Sequence, residues 1–420
     1  MKVYVISRDN KPLMPTTPAR ARKMLRDNKA AVVQRTPFTI KLTIQTKEYT
    51  QPITLGVDAG SKVIGISATT ECEELYSSEV ALRTDIVELL ATKCQYRRIK
   101  RDRLRYREPR FLNRKKDKGW LAPSILHKID SHIKVIEKVH KILPITKVIA
   151  EVAAFDIQKL KNDAITGYQY QEGEQLGSWN VREYVLFRDN HTCQHCKGKS
   201  KDKILVSHHI QTRLIGGDAP NNLMTLCKTC HDKYHRGEIE ITIKRGASFR
   251  DAAFMGIMRW AFYNKLKELY PDVSLTYGYI TKNTRIELGL EKNHRTDAFC
   301  IAGNLSAARS GVWLYQQFVR KNIRSLHKAN LLKGGTRKAN KAEYVVHGYR
   351  LFDKVAFESK EYFVFGRRKS GYFDIRDLYG NKVNKGSVSF NKLRLLEKAK
   401  SLMIERRKVI PPTTLKGFLA

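Results

Sequence analysis

Apolar side chains in the first fifty residues follow two different spacings. Three segments have the pattern of strands, namely Lys2–Ser7, Ala30–Val33 and Phe38–Thr43. Thr17 followed by Pro18 places a capping residue before a proline of the first turn, which predicts a helix over about Ala19–Asn28. Pro12–Pro15 has a proline at each end and predicts a rigid turn. This part of the chain is therefore expected to form a small strand–helix–strand module.

A second group of apolar segments predicts a buried sheet. Ile53–Val57 leads into Asp58, and the strand pattern resumes over Lys62–Ala68, which predicts a hairpin with Asp58 at the end of its first strand. Thr146–Ala150 is another buried strand, and it is followed by Glu151. The other predicted elements are helices over Ile125–Ile142, Ala252–Leu269 and Asn293–Ala308, a strand over Val273–Ile280, and strands over Tyr344–Val346, Tyr349–Phe352 and Tyr362–Phe365 in a small β-barrel-like C-terminal domain.

Composition adds a strongly charged partner to this picture. The chain has 420 residues, which corresponds to about three domains at ~150 residues each. Hydrophobic residues make up 42%, and the formal net charge is +38. Such a charge opposes compaction and favours an anionic partner, in particular the phosphates of a nucleic acid. No stretch approaches the roughly 18 apolar residues of a membrane span, and the apolar run Val3–Ile6 is too short for a secretory signal.

Much of the positive charge is concentrated in one segment. Between Lys93 and Lys118 lie 13 basic and three acidic residues. Leu90–Arg107 has no helix breaker, and Pro109 ends or bends the helix that this segment predicts. A helix with about half of its positions cationic repels itself, so a polyanion lying against it is a better explanation than a solvated charged face. The arginines assigned to nucleic-acid binding are Arg97, Arg98, Arg101, Arg103, Arg105, Arg107, Arg110 and Arg114.

Four of the seven cysteines form two close pairs, Cys193 with Cys196 and Cys227 with Cys230. Each pair has two intervening residues, and two such pairs surround one Zn²⁺ with four thiolates. Because all four positions are filled by cysteine, the metal is predicted to be structural. The other three cysteines are scattered, which does not form a disulfide framework and favours a reducing, cytoplasmic location.

Histidines and an asparagine lie in and just after this cysteine-bounded segment. His208, His209 and Asn222 fall between the two pairs, and His231 and His235 follow the second pair. One histidine can activate water as a general base, others can hold a divalent ion against a phosphate, and an asparagine can orient the base. The segment resembles the ββα-metal HNH nucleases. This resemblance implies His208 and His231 as ligands of Mg²⁺ or Mn²⁺, and His209 as the general base. It assigns Asn222 to the asparagine of the motif and His235 to a further ligand found in some members.

Carboxylates at three distant positions form a second candidate centre. Asp58 and Glu151 each follow an apolar strand, and Asp297 lies three residues after His294 on one face of a predicted helix. Three carboxylates brought together make an oxygen-rich site for two divalent ions, which suits phosphodiester hydrolysis. The order resembles the split motifs of RuvC-like nucleases, which have the RNase H fold. This resemblance implies Asp58, Glu151 and Asp297 as catalytic carboxylates around Mg²⁺ or Mn²⁺, with His294 as a proton acceptor.

Taken in order, these features resemble IscB, a family of transposon-encoded relatives of the type II CRISPR effectors. The expected fold is an α/β multidomain protein with an RNase H-like (RuvC) core. That core is split by an arginine-rich helix and a zinc-stapled HNH insert, and it is flanked by a small N-terminal PLMP module and a β-rich C-terminal domain. The expected domains are the PLMP module (1–50), RuvC-I (51–84), the arginine-rich bridge helix (85–120), RuvC-II (121–177), the HNH nuclease with its zinc knuckles (178–245), RuvC-III (246–310) and a C-terminal domain that interacts with a target-adjacent motif (311–420).

The resemblance implies RNA-guided cleavage of double-stranded DNA, with one protein monomer per RNA. A guide RNA, called ωRNA in this family, pairs with the target strand; the HNH centre cuts the paired strand and the RuvC centre the displaced strand, while the C-terminal domain reads the target-adjacent motif. No residue encodes the requirement for RNA, so two other functions stay open. One is a protein-guided HNH nuclease of the homing or restriction type, which reads base edges with side chains. The other is a nucleic-acid-binding factor without catalysis, against which the intact catalytic residues argue.

Overall fold

A computed structural model describes residues 2–102, 120–152, 178, 180–212, 218–244, 246, 250–320 and 343–409. The chain divides into two compact units. The first unit combines Met1–Thr84, Lys116–Ala154 and Ile257–Ala420, and the second combines Asp85–Lys115 and Phe155–Gly256. Segments far apart in sequence therefore meet within one unit. Among the described helices, none has the length and apolar character required to cross a membrane.

The first unit begins with a four-stranded sheet and one helix. Its elements are β1 (Val3–Ile6), β2 (Pro12–Thr16), α1 (Pro18–Arg26), β3 (Ala30–Gln34) and β4 (Thr39–Leu42), with strand order β2-β1-β4-β3. The helix prediction is confirmed, because the Thr17 hydroxyl caps α1 by accepting a hydrogen bond from the Arg20 amide. The rigid turn predicted at Pro12–Pro15 is wrong, since these residues lie in β2. That strand is at the edge of the sheet, where a proline removes no interior ladder hydrogen bond.

A seven-stranded mixed sheet forms the centre of the first unit. Its strands are β5 (Thr54–Ala59), β6 (Val63–Thr69), β7 (Glu74–Ala81), β8 (Lys147–Glu151), β11 (Val273–Thr276), β12 (Val312–Phe318) and β18 (Leu402–Lys408), in the order β11-β8-β5-β6-β7-β12-β18. The predicted β5–β6 hairpin is present, and β8 runs parallel to β5. Since paired residues of neighbouring strands share a face of the sheet, the register aligns Glu151 with Asp58, Asp58 with Gly65, and Gly65 with Glu79.

Helices flank this sheet. They are α3 (Pro123–His140), α6 (Arg250–Leu269), α7 (Gly278–Glu287) and α8 (His294–Ala302). The last of these lies directly on β5 and β6, because a Cβ at Gly56 would collide with the backbone of Ala298 and one at Gly65 with the backbone of His294. Because these two glycines have no side chain, the backbone of the helix can lie in direct contact with the backbone of the sheet.

Two of the predicted elements end earlier than expected. The helix predicted to reach Ala308 stops at Ala302, because Gly303 has a φ of 81° and ends it in the left-handed conformation. The strand predicted over Val273–Ile280 ends at Thr276, and α7 begins two residues later. Sequence reasoning did not predict α7, although this helix carries residues of the candidate site.

A second, five-stranded antiparallel sheet lies near the end of the chain. It contains β13 (Lys354–Phe357), β14 (Lys360–Arg367), β15 (Tyr372–Arg376), β16 (Val388–Ser389) and β17 (Arg394–Glu397), in the order β16-β15-β14-β13-β17. Tyr344–Val346 and Tyr349–Phe352 were expected to be strands, but they contribute only an isolated bridge between Val346 and Tyr349. The boundary expected at 311 also moves, because β12 and β18 flank this sheet in sequence and pair with each other in the central sheet.

The second unit contains a compact ββα arrangement. Its described elements are α2 (Ile86–Asp102), α4 (Val181–Arg188), β9 (Leu205–His209), β10 (Leu223–Cys227) and α5 (Lys228–Arg236). The predicted arginine-rich helix corresponds to α2, on which Arg97 is exposed. The side chains of Arg98 and Arg101 lie outside the described residues, as do Arg103, Arg105, Arg107, Arg110 and Arg114.

Candidate metal centres

The four paired cysteines converge on one point of the second unit. The Sγ atoms of Cys193, Cys196, Cys227 and Cys230 all lie within 4.8 Å of one another, and three of these residues are buried. Cys227 ends β10 and also caps α5, since its Sγ accepts a hydrogen bond from the Cys230 amide. The strand-to-helix junction thus fixes one pair, and the turn after α4 presents the other.

Burial and hydrogen bonds shift the pKa of these thiols in opposite directions. Burial raises the pKa of the Cys193 and Cys230 thiols. Burial also opposes ionisation of Cys196, but hydrogen bonds from Ser200 outweigh it and lower the pKa of this thiol to about 6. Four converging thiols, with no disulfide between them, match the donor set of structural Zn²⁺. Among the described residues this group consists of the four cysteines that the two pairs predicted.

Three histidines form a second cluster beside the ββα core. Nitrogen atoms of His208, on β9, and of His231 and His235, on α5, all lie within 4.8 Å of one another. The last two residues are one helical turn apart, and their Nε2 atoms are 3.2 Å apart. Burial lowers the pKa of His208 to about 4, so its ring is neutral at pH 7 and can donate a lone pair to a metal. These are the three histidines assigned to a divalent ion in the sequence.

His209 lies next to this cluster at the end of β9. Its Nε2 is 2.9 Å from Oδ1 of Asp218, so a carboxylate orients the ring. Asn222 was expected to orient this base, but its side chain is fully buried and its amide forms two 2.9 Å hydrogen bonds with the backbone of Gln211. The partner of the base is thus Asp218, which sequence reasoning missed although it follows a conspicuous glycine pair at 216–217.

The carboxylates of the first unit meet at the ends of the parallel strands. Asp58 is the register partner of Glu151, and α8 places His294 and Asp297 over the same face. The Asn293 side chain caps α8 by accepting a hydrogen bond from the Thr296 amide at 2.9 Å, which fixes the start of the helix beside Asp58. The structure therefore gathers in one place four predicted residues that come from three segments of the chain.

Two basic side chains hold these carboxylates. Nδ1 of His294 is 2.6 Å from Oδ2 of Asp58. Nε of Arg285, on the helix α7 that was not predicted, forms an ion pair of 2.9 Å with Asp297. In consequence Asp58, Glu151 and Asp297 are not drawn together as tightly as the three histidines of the second unit. Oxygen donors of this kind suit Mg²⁺ or Mn²⁺.

Partial burial, together with neighbouring negative charge, raises the pKa of two of the acids. Burial, reinforced by Asp58 and Asp297, raises the pKa of Glu151 to about 7, although the Thr281 hydroxyl opposes this. Burial and Asp58 likewise raise the pKa of Asp297. The hydrogen bond to Asp58 raises the pKa of His294. Acids and a base with pKa values shifted in this way are typical of catalytic sites.

The second unit is similar to known HNH endonucleases. Residues 193–237 match the HNH endonuclease family. A probable HNH endonuclease of Lactococcus phage SK1 is 37% identical over 68 residues, which cover 72% of that protein and 14% of this chain. The chain belongs to the HNH endonuclease family. Anaredoxin of Nostoc sp. (strain PCC 7120) is also similar, at 51% identity over 39 residues, but this chain spans only about half of its length.

A second family match lies before the HNH domain. Residues 3–173 match the RRXRR protein family, which carries the arginine-rich bridge helix of IscB- and Cas9-type proteins. An RRXRR domain followed by an HNH domain is consistent with the IscB-like family that the sequence resembles.

Solved structures with similarity include two complexes of Streptococcus thermophilus Cas9. One, with the GGAA PAM, is 14% identical, and the similarity covers 50% of this chain and 30% of Cas9 at a TM-score of 0.32. The other, with the AGGA PAM, is 14% identical and covers 62% of this chain and 33% of Cas9 at a TM-score of 0.31. This HNH protein thus spans about a third of the Cas9 chains, and the TM-scores lie below the level that establishes a common fold.

Proposed function

We propose that this protein is an RNA-guided DNA endonuclease with two metal-dependent centres. In this proposal the HNH centre cuts the guide-paired strand, and the carboxylate centre, on an RNase H-like sheet of the RuvC type, cuts the displaced strand. The observation that carries the proposal is that one chain holds both a histidine cluster with an adjacent base, His209, and a separate carboxylate group around Asp58. Two hydrolytic centres suit a substrate with two strands.

The geometry of the HNH centre supports hydrolysis by an activated water. The carboxylate of Asp218 accepts a hydrogen bond from Nε2–H of His209, which leaves Nδ1 of that ring to take a proton from water. A divalent ion held by His208, His231 and His235 supplies charge stabilisation at the scissile phosphate when it is bound. Asn222 keeps the backbone two residues beyond the base in place through Gln211, so it positions the loop instead of touching the reacting atoms.

At the carboxylate centre the side chains divide the work between ligation and proton transfer. Asp58, Glu151 and Asp297 supply the oxygen donors for the divalent ions that such a centre uses. Nδ1–H of His294 donates to Asp58, so Nε2 of the same ring is the atom left to accept a proton. Arg285 forms an ion pair with Asp297 and opposes the effect of burial, which raises the pKa of this carboxyl.

Guidance by RNA is supported by charge and domain order. The net charge of +38 calls for a large polyanion, and the RRXRR match over residues 3–173 includes the arginine-rich segment that lies between Asp58 and Glu151 in the sequence. The proposed domains keep the PLMP module at 1–50, the split RuvC segments, and the HNH insert at 178–245. They restrict the motif-reading C-terminal part to the five-stranded sheet between β12 and β18. Base pairing then carries sequence specificity, and the protein reads backbone and a short flank.

The experiment that tests this proposal begins with nucleic acid that copurifies with the protein. The full chain is expressed with the DNA that flanks its gene, purified at moderate salt, and the bound RNA is sequenced. A single structured RNA with one variable end is expected, and a new variable sequence should redirect Mg²⁺-dependent cleavage to a matching plasmid. Cleavage of a defined site by RNA-free protein would overturn RNA guidance.

A protein-guided HNH nuclease is the second candidate. It is favoured by the similarity to the phage protein, which lies in the HNH segment. In that case the carboxylate sheet is a scaffold, and His209→Ala abolishes all cutting. In the two-centre proposal the same substitution leaves a nick in one strand, so a strand-specific assay separates the two functions.

A further inference from the structure

Two exposed tyrosines flank the carboxylate centre, and no step of the proposed hydrolysis uses them. Tyr277 precedes α7 and Tyr279 lies in its first turn; they are 46% and 67% exposed. Their rings are parallel within 10°, with centroids 6.2 Å apart. Ile280 beside them is also exposed, so the start of α7 presents an apolar surface next to an acidic site. Exposed apolar groups that cluster in this way mark a binding surface more often than isolated ones do.

The backbone ties these tyrosines to the centre. Gly278, between them, lies so close to Glu151 that a Cβ there would be 2.9 Å from Oε1 of the carboxylate. Thr276, just before Tyr277, is the register partner of Glu151 in the adjacent parallel strand. The tyrosine pair therefore cannot move far without moving a carboxylate ligand of the centre.

The same helix also holds the other side of the site. Arg285, two turns along α7, pairs with Asp297, and Thr281 is buried against Glu151, whose pKa its hydroxyl lowers. Helix α7 thus presents side chains in two directions: Thr281 and Arg285 towards the carboxylates, and Tyr279 and Lys282 towards solvent. The helix that begins between the two tyrosines therefore also holds two residues at the carboxylates.

We propose that Tyr277 and Tyr279 form a stacking platform that holds an unpaired base next to the phosphate cut at the carboxylate centre. The inference rests on the proposed function of that centre and adds its preference for a single strand. Stacking on aromatic rings needs an exposed base face, which duplex DNA buries between neighbouring base pairs. A parallel tyrosine pair also tolerates any base, since every base offers a π-face, so the platform positions the strand without reading its sequence.

Substitution of the rings tests the platform by binding, independently of cleavage. The holoprotein, without added magnesium, is titrated with a short single-stranded oligonucleotide carrying 2-aminopurine, whose fluorescence is quenched on stacking. The wild type should quench it, and the double variant Tyr277→Ala/Tyr279→Ala should lose the quenching together with about 5- to 100-fold of its affinity for the single strand. Affinity for a duplex of equal length should be unchanged.

Two control variants separate loss of the tyrosine rings from other effects of substitution. Tyr277→Phe/Tyr279→Phe keeps both rings and should retain wild-type quenching. Tyr49→Ala removes another exposed tyrosine (79%), near the end of the N-terminal module, and should also behave as the wild type. Equal loss of single-strand and duplex binding, or quenching that survives in the alanine variant, would overturn the platform. If quenching is lost as expected but Asp58→Asn leaves cleavage of both strands intact, the platform stands and the proposed role of the centre fails.

Discussion

Asp58 and His294 are 236 residues apart in sequence, yet Oδ2 of the first and Nδ1 of the second are 2.6 Å apart. The contact depends on two structural features. Asp58 ends a strand beside the parallel strand of Glu151, and Asn293 caps the helix that begins with His294. Gly56 and Gly65 let that helix lie on the sheet at backbone distance. The candidate site is therefore a product of the packing of α8 on the sheet.

Removal of one centre at a time should leave a single-strand nick. Asp58→Asn removes the charge that pairs with His294 and that we propose to bind the metal, so cleavage by the carboxylate centre should fall at least about 100-fold. His209→Ala removes the general base and should give a loss of similar size at the HNH centre. The check is a guided plasmid assay with each strand labelled separately. The double variant should cut neither strand, and loss of both cuts in either single variant would contradict two independent centres.

Much of this site was within reach of the sequence, because chemistry-bearing residues followed recognisable local patterns. Asp58 and Glu151 follow apolar runs, and the spacing of the two cysteine pairs is typical of a zinc site. Asp218 and Arg285 were missed for two different physical reasons. Asp218 is nine residues from its partner His209, and no local pattern in the sequence pairs the two side chains. Arg285 lies on a helix whose first residues resemble a strand.

Tertiary context also decided the limits of the elements. Pro12 and Pro15 suggest a turn when read locally, but an edge position in the sheet accommodates both. The strand β18 pairs with β12, although the residues of the five-stranded sheet separate these two strands in the sequence. No local pattern in Leu402–Lys408 indicates this partner. Which distant strands pair is set by packing in the folded protein. The alternation of apolar and polar residues along one strand does not contain this information.

Loss of the zinc site should unfold the HNH unit and spare the carboxylate centre. Cys227→Ser removes both a thiolate ligand and the cap of α5, the helix that carries His231 and His235. Since metal binding is coupled to folding in such sites, the variant should lose about one equivalent of zinc and its HNH cleavage. Zinc content by mass spectrometry and strand-specific nicking provide the measurement. Cys72→Ser, at an exposed cysteine outside the cluster, is the matched control and should keep both.

The metal requirement of the carboxylate centre should depend on pH. Burial raises the pKa of Glu151 to about 7, so this ligand is mostly protonated at pH 6 and mostly ionised at pH 8. The Mn²⁺ concentration for half-maximal nicking should therefore fall by roughly tenfold between pH 6 and pH 8, because deprotonation of the Glu151 carboxyl strengthens binding of the metal ion. The measurement uses His209→Ala, so that only the carboxylate centre cuts. A half-maximal concentration that does not change over this range would argue against Glu151 as a ligand.

Acid should loosen the sheet that carries Asp58, through a histidine outside the site. His132 on α3 is fully buried, packs against the ring of Phe262, and has Nε2 3.2 Å from the carbonyl oxygen of Gly60, two residues after Asp58. Burial lowers its pKa from 6.5 to about 4. The unfolded chain therefore binds a proton between pH 6.5 and 4 that the folded chain excludes, and stability contributed by the neutral ring is present above pH 6.5 and lost as pH falls towards 4.

The pKa shift of the fully buried His132 ring corresponds to a loss of about 3 kcal/mol in the free energy of unfolding. Hydrogen–deuterium exchange of the β5 and α3 amides, corrected for the intrinsic effect of pH, should show the loss of protection between pH 6.5 and 4.5. His132→Gln removes the titrating ring, so protection in this variant should change less over the same range. His140, a second partly buried histidine on the same helix, is the control, because its substitution by glutamine leaves the His132 contact in place. If wild type and His132→Gln lose protection equally, the acid sensitivity arises elsewhere.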